Sequence, residues 1–187
     1  MAKKKTNRSR LPSLEEIRSE FAREDAKSRK ERARRYRKLL KLFPMGGGMV
    51  ILGGMPATLA LEEVWRSYIG ANHLSVVMCA QNFLEHSLAA NHIMSGDDLT
   101  AEGGFSKLID IAKQEGVVEA LMAERMHRLR KMRNPYVHPR SYSRPRNYMA
   151  RVAENGFKES LVLLEEDAEF AIALVSDFIR PSPEATG

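Results

Sequence analysis

The stretch TLALEEVWRSYIGANHLSVVMCAQNFLEHSL, residues 58–88, decides the fold. In it Leu61, Val64, Trp65, Tyr68, Ile69, Val76, Val77, Ala80, Phe83, Leu84 and Leu88 recur at steps of three and four, the period of a helix that buries one face. Thr58 is placed to cap this segment, and Glu62 and Glu63 complement the dipole of its early turns. A break is expected near Gly70, and the run Ser95, Gly96, Asp97, Asp98 stops it. Downstream, a second helix carries Phe105, Leu108, Ile109 and Ala112 and ends at Gly116, a residue suited to a left-handed C-terminal position. A third starts near Val118 and carries Met122, Met126, Leu129, Met132 and Tyr136, continuing past Pro135. The last begins in the acidic turn Glu165, Glu166, Asp167, buries Phe170, Leu174, Val175, Phe178 and Ile179, and stops before Pro181. No run alternates convincingly with a period of two; residues 160–164 are the one ambiguous piece. The expectation is an all-α helical bundle.

Upstream, Ser13 followed by Glu16 is a capping-box signature, with Leu14, Ile17 and Phe21 at helical spacing behind it. Between residues 22 and 38 the apolar stripe nearly vanishes, leaving alanines among charges, with Asp25/Arg29 and Glu31/Arg35 spaced as i,i+4 pairs. Such a helix has little to bury until Leu39, Leu40, Leu42 and Phe43. The organisation that follows is a basic helical arm at 1–43, a glycine-rich linker at 44–57, a bundle at 58–180 and a tail at 181–187. The linker lacks the Gly-Lys-Ser/Thr ending of a phosphate-binding P-loop.

Charge is unevenly spread. Of the formal net +6, residues 1–43 hold 16 Lys and Arg against 6 Asp and Glu, whereas the remainder is net acidic. A second basic segment interrupts that acidic body, because Arg125, Arg128, Arg130, Lys131, Arg133, Arg140, Arg144, Arg146 and Arg151 follow one another with no acidic residue between them. Clustered cations attract polyanions through counterion release, without sequence preference; a merely solvated surface is the alternative. One cysteine, Cys79, leaves no intramolecular disulfide and no thiolate metal cluster, which suits a reducing cytoplasm. Acidic residues from Glu15 onward interrupt any leader-like apolar run, and the longest apolar stretch, 45–55, is too short and glycine-rich to cross a bilayer. No membrane association is expected.

His-Glu-x-x-His, Gly-x-Ser-x-Gly, Gly-x-Gly-x-x-Gly and Cys-x-x-Cys are all missing from the sequence. His73 and His127 have no chemically suggestive neighbour. Gln81, Glu85 and His92, with His86 nearby, place a polar stripe on a mainly apolar helix, readable as a structural network, one wall of an active site or, least of all, a metal site. Cys79 reads as a small core residue. The sharper constellation is RKMRNPYVHPR, residues 130–140. Five residues along a straight helix would leave Arg133 and His138 about 140° apart, too divergent to meet on one phosphate. Pro135 should bend the helix, and Pro139 should push His138 out of helical geometry, so the pair would converge either alone or with a second copy. The plainer alternative makes both cations partners of the helix dipole.

Arg133, Asn134, Pro135, Tyr136, Val137 and His138, followed by Pro139 and Arg140, resemble the Arg-x(4–6)-His signature of HEPN domains, and the order of helices from about residue 58 to 180 is similar to theirs. The resemblance implies an all-α bundle that dimerises with two motif helices facing one another. It implies a metal-independent endoribonuclease without cofactor, acting on RNA in a toxin–antitoxin, antiphage or RNA-processing setting, with an antitoxin or other regulatory protein as a further partner. By position, Arg133 would contact the scissile phosphate, His138 would transfer a proton, Asn134 would help position the pair, and Glu85 would supply the acidic residue of the long helix. These residue types suit the chemistry, because RNA carries its own nucleophile and needs only a near-neutral acid or base and a cation. Arg128, Arg130, Lys131, Tyr136, Arg140, Arg144 and Arg146 are the expected nucleic-acid contacts. Tyr136, Tyr142 and Tyr148 either stack bases or serve as ordinary loop and core tyrosines. The alternative function is a non-catalytic HEPN module that binds RNA or a protein through the basic arm.

Overall fold

The computed structural model describes residues 11–43, 53–138, 147–156 and 159–180, and among these it contains helices and no strand. They are α1 (Leu14–Leu42), α2 (Gly54–Ile69), α3 (His73–Ser95), α4 (Asp98–Ala101), α5 (Gly104–Gln114), α6 (Ala120–Val137), α7 (Tyr148–Glu154) and α8 (Ser160–Ile179). Arg140, Tyr142, Arg144, Arg146 and most of the expected linker lie outside the described residues.

α1 opens with the expected capping box: the Ser13 hydroxyl accepts from the Glu16 amide, and the Glu16 carboxylate accepts from the Ser13 amide. Its 29 residues span about 43 Å. Leu14 and Phe21 face solvent along its first turns. The ion pairs on α1 are not the i,i+4 pairs expected; Asp25 reaches Arg32 and Glu31 reaches Arg34. Arg35 instead donates from Nε to the Ile69 carbonyl. The last turns join the bundle: Leu39 and Phe43 are buried in the common core, Phe43 packs edge-on to Trp65, and the Ser176 hydroxyl donates to the Leu42 carbonyl. The arm is therefore free only up to about Arg34: Arg35 is tied to α2, Lys38 pairs with Glu169 of α8, and the apolar end belongs to the body.

α2 begins four residues before the expected start, and Thr58 is not its cap. Its hydroxyl donates back to the Gly54 carbonyl from inside the helix. Pro56 falls in the first turn, where a missing amide costs nothing, and the turn is entered at Gly53, whose φ of 106° belongs to glycine. The break near Gly70 is present, with Ala71 at φ 60° between α2 and α3. α3 is the hub, packing on α2, α4, α5, α6 and α8. Buried residues occur all round it, and the small ones, Ala80, Ala89 and Ala90, let neighbouring backbones approach closely. Gly116 ends α5 in the left-handed conformation, as expected. α8 starts at Ser160, absorbing the ambiguous 160–164 segment, because Leu163 is buried in phase with Asp167, Ala171 and Leu174. The short α4 and α7 carry too few apolar residues for periodicity to mark them. No helix among the described residues is long and apolar enough to cross a membrane.

At the start of α3, His73 keeps its Nδ1 buried without a partner among the described residues. Burial pushes its pKa below the ordinary 6.5, with Arg35 of α1 acting the same way and Glu165 and Glu169 of α8 opposing. The unfolded chain then takes up this proton first, so the site is neutral to stability above pH 6.5 and destabilising as the pH falls below it. Replacing His73 with Gln is expected to flatten the acid-side loss of the urea midpoint; an unchanged slope would disprove the assignment.

Candidate active site

α6 buries Ala123, Met126, Leu129 and Met132 at three-residue steps. That register turns Arg130, Arg133 and Asn134 together toward α3 and the start of α5. There they line a cleft of about 340 Å³ with Gln81 and Glu85, one turn apart on α3, and with residues 103–106 at the N-terminus of α5. Glu85, far upstream in the chain, is thus brought to one place with Arg133 and Asn134.

His138 meets the same cluster through Arg133, whose Nη1 lies 3.5 Å from His138 Nε2 in an exposed setting. With Nδ1 protonated, Nε2 accepts from the guanidinium; the opposite tautomer lacks that acceptor. The convergence arises at the helix exit. α6 stays helical through Pro135, which sits in its last turn, and ends at Val137. His138 caps it at φ −111°, ψ 109°, the extended geometry that a following proline imposes, while its amide still donates to the Asn134 carbonyl at 3.0 Å. α6 continues past Pro135 and the chain leaves the helix at His138, both as expected, and one chain suffices to join the pair.

The polar stripe on α3 divides. Gln81 Nε2 donates to Glu85 at 3.4 Å, whereas His92 lies 3.7 Å from Asp97 and 3.9 Å from Glu115, away from the cleft. His127 pairs with Asp110 at 3.0 Å. Burial, helped by the charge of Glu63, raises the Cys79 thiol pKa, in keeping with a core residue. Among the described residues no three His, Cys, Asp or Glu side chains gather to hold a metal ion.

Other expected contacts separate. Arg128 stacks on Phe170 with its guanidinium 4.4 Å from the ring centroid, and Lys131 opens onto a different cavity of about 510 Å³ between α6, α7 and α8; Arg130 borders both. Tyr136 turns inward, contrary to a stacking role. Its hydroxyl donates to Asp167 at 3.0 Å and accepts from Arg151 at 3.1 Å, and its ring tilts against Tyr148 at 5.6 Å. Burial first, then the Asp167 charge, raises its pKa well beyond the ordinary 10.0, so it remains a donor. Arg151 also binds Asp167 directly and donates to the Met132 carbonyl, making a buried triad that pins the last turn of α6. Sequence reasoning missed both triad partners. The available signal was that Asp167 falls in phase with the buried Leu163 and Ala171, where an acid needs a cation.

The fold and site define a helical protein with a basic cleft, an Arg–His pair at its edge and an acidic residue on its wall. Set beside family models, curated proteins and solved structures, the chain matches none of them.

Proposed function

We propose that the protein is a metal-independent endoribonuclease of the HEPN type, working as a homodimer in the cytoplasm. The observation that carries this reading is the 3.5 Å approach of Arg133 and His138 beside Glu85 and Asn134. A guanidinium offers fixed donors to a phosphate, and an adjacent imidazole can accept or donate a proton. In the reaction, the 2′-oxygen forms a bond to phosphorus as its proton leaves, and the bond from phosphorus to the 5′-oxygen breaks as that oxygen gains a proton. His138 moves a proton, Arg133 offsets charge on the phosphoryl oxygens, and Asn134 and Glu85 orient the reacting group. The products are a 2′,3′-cyclic phosphate and a 5′-hydroxyl. The decisive experiment incubates the protein with RNA in excess chelator, beside a deoxy substrate. Cleavage confined to RNA and insensitive to chelator is expected; cleavage of the deoxy substrate would disprove the mechanism.

A second reading, a non-catalytic RNA-binding module, draws on the exposed cations of α1. Truncation that removes residues 1–31 spares Leu39 and Phe43 and so keeps the core. On this reading it abolishes most RNA affinity and flattens its salt dependence. An unchanged salt slope would eliminate the arm as the main contact.

A further inference from the structure

The cleft holds more than the motif. α5 starts at Gly104 behind the capping residue Gly103, has no side-chain cap and carries no acidic residue in its first turn. The Gly103 amide is engaged with the Thr100 carbonyl. The amides of Gly104, Phe105 and Ser106 follow it at the helix N-terminus, where first-turn donors have no partner within the helix and favour an anion. Gly104 adopts φ 75°, and a Cβ added there would meet nothing within 4 Å, so this end of the cleft is open. Arg130 and Arg133 face it from α6, and Arg130 Nε is buried without an acceptor among the described residues.

Gln81 is an independent pointer to a ligand. It is 7% exposed and lines the cleft, and its carbonyl oxygen has no donor among the described residues. A bare acceptor would repel a phosphate oxygen. A ligand seated against it is accommodated better if it brings a hydrogen-bond donor alongside its negative charge. A ribonucleotide chain does so at every residue, through the 2′-hydroxyl, and a deoxyribonucleotide chain does not.

The geometry points to this cleft as the seat of one phosphodiester of a single-stranded RNA. The amides of Gly104, Phe105 and Ser106, with Arg130 and Arg133, hold the phosphate, and the Gln81 carbonyl accepts from the neighbouring 2′-hydroxyl. This rests on the ribonuclease reading for the choice of RNA as ligand, while phosphate capture at α5 is measured separately from cleavage.

The test uses the full chain carrying His138→Ala, so that bound RNA stays intact, titrated with a short fluorescent RNA and the DNA of the same sequence. Adding Ser106→Asp places a carboxylate in the first turn of α5, which favours the helix while repelling a phosphate. It is expected to weaken RNA and DNA binding on the order of tenfold without lowering the melting temperature. Gln81→Leu, similar in volume, is expected to weaken RNA binding on the order of fivefold and leave DNA binding unchanged. Unaltered binding by the Ser106→Asp protein overturns the phosphate seat, and equal losses on RNA and DNA for Gln81→Leu overturn the ribose contact. If the unsubstituted protein does not cleave RNA but both variants behave as expected, the nuclease reading falls and the binding site stands. If it cleaves and neither variant changes binding, the cleft assignment alone falls.

Discussion

His138→Ala is expected to slow RNA cleavage at least about a hundredfold while leaving the melting temperature unchanged. A positioned general acid or base contributes about 10² to 10⁴ in rate, roughly 3 to 5 kcal/mol of barrier. The fold should tolerate the truncation, because the His138 side chain is exposed and its amide, not its ring, bonds the Asn134 carbonyl. Arg133→Ala should cause a comparable loss, and the double variant should lose little more than either alone, since the two groups act on one phosphate. Initial rates in chelator for the four proteins settle the matter. Rates for His138→Ala within a few-fold of the parent would remove the imidazole from the mechanism.

Asp167→Ala should give the largest stability loss of any single substitution at the candidate site. Its carboxylate is 3% exposed, and the Arg151 side chain it neutralises is 12% exposed. Removing one member of a buried ion pair leaves the other uncompensated, at about 3 to 5 kcal/mol. For a chain of this size that lowers the melting temperature by roughly 6 to 20 °C. Tyr136 loses its acceptor as well, and it lies between Arg133 and His138, so cleavage should fall even at temperatures where the protein remains folded. Replacing Asp167 and Arg151 together by Leu and Met should recover much of the stability, because no buried charge is then left alone. Thermal melts of the single and double variants, read against wild type, test this. A shift of under about 2 °C for Asp167→Ala would show that the triad contributes little.

Much of the fold is legible locally. The Ser13 box, the break at Gly70, the stop at Gly96 and the end of α5 at Gly116 are decided by a few neighbouring residues, and the structure shows each where the sequence places it. The start of α2 was misplaced because Thr58 suits a cap equally well when Gly53 and Pro56 open the helix a turn earlier. The start of α8 was misplaced because the exposed Leu161 and Val162 obscure the phase set by Leu163. At the site, the departure from helical geometry placed at His138 by the proline that follows it in sequence is present, while α6 stays helical through Pro135.

By itself the sequence determined an all-helical chain, two basic segments and an Arg–His pair at the end of one helix, because caps, helical phase and the restriction before proline act within a few residues. Tertiary packing was needed to bring Glu85 and the start of α5 to one cleft with Arg133, to turn Tyr136 inward to Asp167 and Arg151, and to fold the end of α1 into the core. Those partners lie 15 to 31 residues from Tyr136 along the chain. Which of them meet is set by how helices cross when their apolar faces are buried together, a property of the packed ensemble of helices and of no single stretch of residues.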